Sequence, residues 1–390
     1  MKYNFDEIID RSATNTVKFG GLETSFGNKD LIALWVADMD FKSPPCIIKA
    51  LEARVQHGVF GYTRPGNEYY DAIVHWLKNR HQWAVEKDWI TYVPGVVKGF
   101  AFVIDAFTEK RDCIIIQPPV YHPFRLVTEA LGRVVVNNPL ILENGQYRID
   151  FEAFEKAVRE NNCKLFIFSN PHNPGGRVWT RDELKRLSEI CAENNVLVVS
   201  DEIHSDLTLY GHKHLPFASV SQQAADNCIT LMAPSKTFNI AGIVSSFAVV
   251  SNEKLRAKYL NFLAPRELDQ GSIFSYTATV AAYEGGEEWL DQLLAYIQGN
   301  IEFVDNYLKQ HIPQIKAMIP EASFLVWLDC RELNLPQASL VKLFIDKAGL
   351  ALNNGTMFGP GGEGFMRLNV GSPRSILEKA LKNLKKAIAG

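Results

Sequence analysis

Short apolar runs rich in β-branched residues recur through the middle of the chain. They lie at Cys113–Gln117, Arg133–Val136, Leu165–Ser169, Val196–Ser200, Ile229–Met232 and Val244–Val250. Helical patterns separate them, and in the one at Thr180–Asn195 the residues Thr180 and Glu183 have the spacing of a capping box. Strands that are apolar on both faces and alternate with amphipathic helices are typical of a parallel sheet covered by helices. The pattern therefore predicts an α/β domain built around a mainly parallel sheet.

The pattern changes after about residue 285. A long helical stretch at 287–312 precedes the strand-like run SFLVWLDC at 323–330, a helix at about Ser339–Ala348, the run FMRLNV at 365–370 and a terminal helix. This order predicts a smaller α+β domain. We therefore predict a large α/β domain at 46–285, a small domain at 286–390, and an irregular N-terminal segment at 1–45 that packs with the small domain.

The composition is that of an ordinary globular protein and disfavours several other classes. Lys and Arg number 41 and Asp and Glu 44, so the formal net charge is −3, while 47% of the residues are hydrophobic. Disordered chains are less hydrophobic, and nucleic-acid binders carry a basic excess. The six cysteines form no CxxC motif, the N-terminus lacks an apolar signal sequence, and no apolar run reaches the roughly 18 residues of a membrane span. We expect a cytoplasmic protein with reduced cysteines.

Four of the apolar runs are followed directly by side chains of complementary chemistry. In chain order these are Tyr121 and His122, Asn170 and Asn173, Asp201 and His204, and Ser235 and Lys236. Ligands of open α/β sheets bind at the carboxyl ends of the strands. An aromatic ring, an amide, a carboxylate and a lysine at four such ends therefore indicate one binding site.

Lys236 suggests which ligand this site takes. A lysine beside a strand is often a surface residue, but in a desolvated cleft its pKa falls and it can form a Schiff base. Pyridoxal phosphate needs such a lysine, an acidic partner for its ring nitrogen, and N–H donors for its phosphate. Asp201 can supply the carboxylate. Gly95 can form a tight turn, so that the N–H groups of Val96, Val97 and Lys98 open a helix toward the phosphate, and the Ser235 hydroxyl can add a donor.

Each candidate also has a purely structural explanation. Asn173 could stabilise a turn, Asp201 could cap a helix, His204 could be a core histidine, Tyr121 could pack a loop, and Arg367 could form a surface ion pair. The order and the chemistry of the whole set favour a cofactor site over these separate explanations.

Two further patterns are weaker. Gly359, Gly361 and Gly364 match G-x-G-x-x-G, but a strand-like run follows them near the C-terminus, so a dinucleotide site is disfavoured and a flexible loop beside Arg367 is expected. His212 and His214 form an HxH pair without a third ligand at a known spacing, and we expect no metal site.

The motifs NPHNPGG, DEIHSD and SKTFNIAG resemble those of fold-type I pyridoxal-phosphate enzymes, the aspartate aminotransferase superfamily. More narrowly, LWVADMDF, GYTRPG, PPVYHPF and DEIHSDL resemble the cystathionine β-lyase (C–S lyase) branch, the MalY/PatB group. The resemblance extends from about Leu34 to the C-terminus. It implies the type I transferase fold, in which the large domain holds a mainly parallel, seven-stranded sheet between helices.

The resemblance also implies roles for individual residues. Lys236 would bind pyridoxal phosphate and move the Cα proton, and Asp201 would pair with the ring nitrogen. Asn173 and His204 would lie at the O3′ side, and the phosphate would be bound by Val96, Val97 and Ser235. Tyr121 would stack on the ring and help to protonate the leaving thiolate. Arg367, with Asn173, would bind the substrate carboxylate. Tyr62 would reach the phosphate of the partner subunit, which implies a homodimer.

Three functions are compatible with these residues. The resemblance favours a C–S β-lyase that converts cystathionine, cysteine or related thioethers to a thiol, pyruvate and ammonia. The alternative is an aminotransferase for aromatic or sulfur amino acids, which would use the same residues. A third hypothesis is a protein that keeps the cofactor but acts mainly by binding a partner, and the presence of Lys236, Asp201 and Arg367 argues against it.

Overall fold

The computed structural model describes residues 2–389. The strands are β1 (Ile32–Ala33), β2 (Ile90–Val93), β3 (Cys113–Ile116), β4 (Val134–Asn137), β5 (Ile141–Glu143), β6 (Gln146–Arg148), β7 (Leu165–Ser169), β8 (Leu197–Asp201), β9 (Cys228–Met232), β10 (Ser246–Val249), β11 (Lys316–Met318), β12 (Leu325–Asp329), β13 (Leu350–Ala351), β14 (Asn353–Asn354) and β15 (Phe365–Asn369). The α-helices are α1 (Val17–Gly20), α2 (Leu22–Phe26), α3 (Pro45–Gln56), α4 (Asn67–His81), α5 (Val96–Phe107), α6 (Pro123–Ala130), α7 (Phe151–Glu160), α8 (Arg181–Glu193), α9 (Gln222–Asp226), α10 (Pro234–Thr237), α11 (Glu253–Leu263), α12 (Ile273–Gly285), α13 (Glu287–His311), α14 (Gln337–Lys342) and α15 (Arg374–Ala389).

A seven-stranded sheet in the order β2-β10-β9-β8-β7-β3-β4 forms the centre of the molecule. The pairs β9–β8, β8–β7, β7–β3 and β3–β4 are parallel, whereas β10 runs antiparallel to both β9 and β2. The prediction of a mainly parallel seven-stranded sheet is confirmed. In the register, Ser169 at the end of β7 pairs with Asp201 at the end of β8, which in turn pairs with Leu231 of β9. The carboxyl ends of these strands therefore lie side by side.

Helices cover both faces of this sheet, which explains why most of its strands are apolar on both faces. In β7 the side chains alternate, so that Ile167 packs in the same cluster as Phe100 of α5, while Phe168 packs with Leu184 of α8 on the other face. Helix α8 begins at the predicted capping box. The Thr180 hydroxyl accepts the Glu183 N–H at 3.3 Å, and the Glu183 carboxylate accepts the Thr180 N–H at 2.7 Å.

The C-terminal part of the chain forms a second sheet in the order β11-β12-β15-β14. The N-terminal segment contacts this part directly. Strand β1 pairs in parallel with β13, and the Leu34 carbonyl accepts the Asn369 N–H at 3.0 Å. The segment is not wholly irregular, because it also contains the short helices α1 and α2. The proposed domain boundaries remain predictions.

Strand β2 is the one strand of the central sheet that the apolar pattern does not reveal. It is four residues long, and the polar atoms of Thr91 and Tyr92 interrupt its apolar character, although all four residues are buried. None of the helices within residues 2–389 combines the length and the apolar character that crossing a lipid bilayer requires.

Candidate active site

A cavity of about 270 Å³ opens at the carboxyl ends of the central strands and is bounded by the start of α5. Eight of the ten residues predicted from the sequence line it: Val96, Val97, Tyr121, Asn173, Asp201, His204, Ser235 and Lys236. Its volume is near the lower limit of about 300 Å³ for ligand pockets. The strand ends that are far apart in the sequence thus contribute to one site.

Lys236 lies in the short helix α10, directly after β9. Burial lowers the pKa of its amine to about 8, and the charges of Asp38 and Asp201 only partly oppose this effect. Its Nζ donates to the carbonyl oxygen of Ala37 at 2.5 Å. Roughly a tenth of this lysine is therefore neutral at pH 7, far more than of an ordinary lysine, and the neutral amine is the form that binds a carbonyl group covalently.

Asp201 is the last residue of β8, and only 6% of it is exposed. Burial raises the pKa of its carboxyl group to about 7, although a hydrogen bond from the Ile203 N–H at 3.2 Å acts in the opposite direction. No ion pair to Asp201 is formed within residues 2–389. A buried carboxylate that lines a cavity and lacks a cation is suited to bind a protonated nitrogen of a ligand.

His204 and Tyr121 contribute a neutral imidazole and a phenol. Burial, together with the charges of Lys236 and Arg367, lowers the pKa of His204 to about 3. Its Nδ1 is buried and has no hydrogen-bond partner in the described chain. Burial also raises the pKa of the Tyr121 hydroxyl, so this group is a proton donor at neutral pH.

The opposite end of the cavity is formed by the first turn of α5. Gly95 precedes the helix with φ of +108°, a left-handed conformation that glycine adopts without strain. The first helical hydrogen bond runs from the Gly99 N–H to the Gly95 carbonyl at 2.8 Å. The N–H groups of Val96 and Val97 belong to the first turn of the helix and have no acceptor within it, as at helix N-termini that bind anions, and the buried Ser235 lines the same cavity.

Arg367 lies on β15, in the second sheet, and only 5% of it is exposed. Its guanidinium group donates to the side-chain oxygens of Asn173 at 3.1 Å and Asn353 at 2.6 Å, and to the carbonyl of Trp35 at 3.1 Å. All three acceptors are neutral, and the buried Nε has no partner among the described residues. Burial lowers the pKa of this arginine to about 10. A buried guanidinium group without a carboxylate partner is suited to bind an anion, and this one contacts Asn173 at the cavity wall.

Tyr62 is the predicted residue that the single chain does not bring to the cavity. It lies in the loop between α3 and α4 and is fully exposed, as are large parts of Val59 and Phe60. Its predicted role concerns a partner subunit and stays a prediction.

The segment that precedes α3 contributes contacts that the sequence reasoning did not assign. The Ala37 and Trp35 carbonyls accept from Lys236 and Arg367. The amide of Asn239 holds this segment through hydrogen bonds to the backbone of Met39 and Phe41 at 2.8–2.9 Å. The motif LWVADMDF was the available signal, but its contribution is made by backbone oxygens, which no residue type reveals.

His122, adjacent to Tyr121, is a further titratable group near the site. Burial lowers its pKa to about 4, with help from the charges of Arg367 and Arg125. Its ring lies edge-to-face with that of Phe358, over which Arg367 is placed. The loop at Gly359–Gly364 leads into β15, so it lacks the strand-turn-helix context of a dinucleotide site.

His212 and His214 are not neighbours of the cavity. His214 is buried against Glu202 at 2.7 Å, while His212 is 42% exposed. The described residues contain no group of three or more His, Cys, Asp and Glu side chains placed to hold a metal ion.

Comparisons with known proteins give a consistent result. Residues 29–384 match the family model described as aminotransferase class I and II. The chain is 45% identical over 386 residues to cystathionine beta-lyase PatB of Bacillus subtilis (strain 168), across 99% of this chain and 100% of that relative.

Two crystal structures are similar over the whole chain. Cystalysin from Treponema denticola, which contains a pyridoxal 5′-phosphate cofactor, has a TM-score of 0.96 at 35% identity and covers 100% of this chain and 99% of its own. The pyridoxal-phosphate-bound C–S lyase from Staphylococcus hominis has a TM-score of 0.93 at 36% identity, with the same coverage.

Proposed function

The chain belongs to the aminotransferase class I and II family, and from this premise we propose that it is a pyridoxal-phosphate-dependent C–S β-lyase. It would cleave the bond between Cβ and sulfur in L-cystathionine, L-cysteine and related thioethers, and release a thiol, pyruvate and ammonia. Its similarity to a cystathionine beta-lyase over nearly its full length supports this choice within the family.

The residues of the cavity fit the proposed cofactor, and this fit is the observation that carries the proposal. The cavity offers a lysine with a lowered pKa, a buried carboxylate without a cation, and a helix N-terminus with free N–H groups. These match the aldehyde, the ring nitrogen and the phosphate of pyridoxal phosphate. Lys236 would hold the aldehyde carbon, Asp201 the ring nitrogen, and Val96, Val97 and Ser235 the phosphate, while Asn173 and His204 would lie at O3′.

When bound, pyridoxal phosphate supplies an electron sink that stabilises negative charge at the substrate Cα. The chain's own residues bind the substrate and move its protons. Arg367 would bind the substrate α-carboxylate, since its guanidinium group has only neutral partners and its Nε–H has none among the described residues. Lys236, with a pKa near 8, would accept the Cα proton.

Tyr121 completes the proposed proton transfers. Its hydroxyl stays protonated at neutral pH because burial raises its pKa, and it lines the cavity beside Lys236. It would donate a proton toward the sulfur as the Cβ–S bond breaks. A thiolate that leaves inside the cavity is stabilised by such a donor within the protein.

We further propose that the enzyme is a cytoplasmic homodimer with a large domain at 46–285 and a small domain at 286–390, on which the segment 1–45 packs. Tyr62 of one subunit would reach the cofactor phosphate of the other. The exposure of Tyr62, together with the exposed apolar side chains of Val59 and Phe60, supports this arrangement.

The proposal is tested with purified protein, pyridoxal phosphate and L-cystathionine, with assays for thiol, pyruvate and ammonia. All three products are expected in equal amounts. The variant Lys236→Ala is expected to form none of them and to lose the visible absorbance of the lysine-bound cofactor. Full turnover by Lys236→Ala, or absence of thiol release by the wild-type protein, would contradict the proposal.

A further inference from the structure

A buried network of carboxylates and histidines lies behind the cavity and was not among the predicted site residues. Its centre is Asp206, which is 3% exposed. One carboxylate oxygen accepts the Nε1–H of Trp76 at 2.9 Å and the Nε2–H of His81 at 2.8 Å, both from α4. The other oxygen accepts the hydroxyl of Thr237 at 2.8 Å. Asp206 thus connects α4 to α10, the four-residue helix that carries Lys236.

A second pair lies back to back with the first. Glu202, which is fully buried and follows Asp201 in the chain, accepts the Nε2–H of His214 at 2.7 Å and the Phe217 N–H at 2.8 Å. The rings of His214 and His81 meet edge-to-face at 5.3 Å. The two carboxylate–imidazole pairs therefore form one packed unit. Glu202 follows Asp201 in the chain, and Thr237, which binds Asp206, follows Lys236.

Packing alone does not explain this network, because apolar side chains could fill the same space. Burial raises the pKa of Asp206, yet the hydrogen bonds from His81, Thr237 and Trp76 outweigh it and hold the pKa below its ordinary value. Asp206 is therefore ionised, and both of its carboxylate oxygens accept hydrogen bonds. Burying a charge is unfavourable compared with well-packed apolar residues, and the best-attested benefit of such groups is that they fix one conformation.

Lys236 needs that fixation because α10 is too short to hold its own position. The helix spans only Pro234–Thr237, and its amine must reach one point in the cavity next to the Ala37 carbonyl. Thr237 follows Lys236 in the chain and is fully buried, and its hydroxyl donates a hydrogen bond to the Asp206 carboxylate. A rotation of α10 about its axis would break this bond and displace the lysine.

We propose that Asp206, held by His81 and Trp76, is a positioning residue that fixes the reactive lysine through its hydrogen bond to Thr237. This inference rests on the proposed function, because it requires that Lys236 hold the cofactor and accept the Cα proton. None of the side chains of the network lines the cavity. It acts only through the orientation of α10.

The test compares Thr237→Val, which removes the hydroxyl at nearly constant volume, with Thr237→Ser, which retains it. The matched control is Thr128→Val, because Thr128 is equally buried and donates to the Phe124 carbonyl in α6, and neither residue lines the cavity. Each cofactor-loaded variant is measured for kcat, KM for L-cystathionine, thermal stability, and the pH midpoint of the visible absorbance of the lysine-bound cofactor.

We expect Thr237→Val to lower kcat by roughly tenfold or more with little change in KM, since a displacement of about 1 Å can reduce a rate about 100-fold. The pH midpoint of the absorbance should shift. Thr237→Ser should restore both, and Thr128→Val should change stability alone.

Two results would overturn the proposal. If Thr237→Val lost stability to the same degree as Thr128→Val but kept the kcat and absorbance of the wild type, the network would only stabilise the fold. If borohydride reduction and peptide mapping of the wild type placed the cofactor on a lysine other than Lys236, the proposed function would fail as well. The peptide map therefore separates the two failures.

Discussion

At the scale of single residues, the site is a set of ionisable groups buried without their usual partners. Lys236 has a lowered pKa, Asp201 a raised one, and Arg367 has only neutral acceptors. Such perturbed groups cluster where a protein binds charged ligands or moves protons. A cofactor with a cationic ring nitrogen and a substrate with a carboxylate would supply the missing counter-charges.

Asp201 gives a pH-dependent prediction for the cofactor-free protein. Its folded pKa of about 7 lies above the ordinary value of 3.8, so the unfolded state loses this proton first as the pH rises. Stability from this group is thus present at low pH and is lost between about pH 4 and pH 7, by on the order of a few kcal/mol. Asp201→Asn should therefore gain in melting temperature relative to the wild type as the pH rises from about 4 to about 7. A constant difference would contradict the pKa assignment.

Arg367 gives a prediction about substrate binding. Arg367→Lys keeps a positive charge but loses the planar pair of donors, so KM for the thioether substrate should rise by roughly 10- to 100-fold, as expected for loss of a hydrogen bond between charged groups. Steady-state kinetics measure this change. The control is Arg133→Lys, another well-buried arginine, whose partners Asp105 and Thr108 are remote from the cavity. An unchanged KM for Arg367→Lys would remove the assigned role.

Single residues also mark the limit of prediction from sequence. Lys236, Asp201, Asn173 and Tyr121 follow apolar strands and could be found from that position alone. The Ala37 and Trp35 carbonyls could not, because a backbone acceptor has no signature in residue type and its direction depends on tertiary contacts. Asp206 was missed for a similar reason, since its partners are distant in sequence.

At the scale of elements, the long buried strands were predicted within a few residues because both of their faces are apolar. Strand β2 was not predicted, because polar side chains interrupt it. Strands β1 and β13 were not predicted either, because two residues are too few for any periodic pattern. The antiparallel direction of β10 goes with the connection before it, which holds only the four-residue helix α10 and a 3-10 helix at Ala241–Ile243 in place of a long crossover helix.

The N-terminal segment is held to the site by a cluster of opposite charges. Lys18 is fully buried, and its Nζ lies 2.8 Å from Asp40 and 3.6 Å from Asp38, while Arg11 binds both carboxylates from the other side. These aspartates flank Met39 and follow Ala37, whose carbonyl contacts Lys236. The cluster therefore stabilises the backbone on which the lysine rests.

Lys18→Met tests this cluster at nearly constant side-chain length. Removing one member of a buried ion pair typically destabilises a protein by about 3–5 kcal/mol, because the remaining charge stays buried. Lys42→Met is the control, since Lys42 pairs with Glu7 on the surface and such pairs contribute about 0–1 kcal/mol. Urea unfolding measures both. Equal small effects would show that Lys18 does not stabilise the segment.

At the scale of the whole molecule, the site combines two sheets. The central sheet supplies the proposed cofactor residues, and β15 of the second sheet supplies Arg367. The type I fold and the membership in the family, which the sequence motifs had led us to expect, are confirmed by the sheet order and by the match over residues 29–384.

The proposed homodimer makes each site depend on both subunits. Mixtures of Tyr62→Ala with Lys236→Ala, after reassociation, should regain activity above the sum of the two variants, because a hybrid dimer contains one site with both residues intact. Measuring activity at limiting pyridoxal phosphate makes the loss in Tyr62→Ala visible. Additive activities at all mixing ratios would contradict the contribution of Tyr62 to the partner's site.

The distinction between lyase and aminotransferase is the central claim, and the dependence of turnover on a keto acid tests it most directly. Purified enzyme with pyridoxal phosphate and L-cystathionine is assayed with and without an added keto acid, and thiol and pyruvate are counted against substrate consumed. The account predicts one thiol and one pyruvate per substrate at a rate that the keto acid does not change. Turnover that requires the keto acid, converts it to its amino acid and releases no thiol would contradict it.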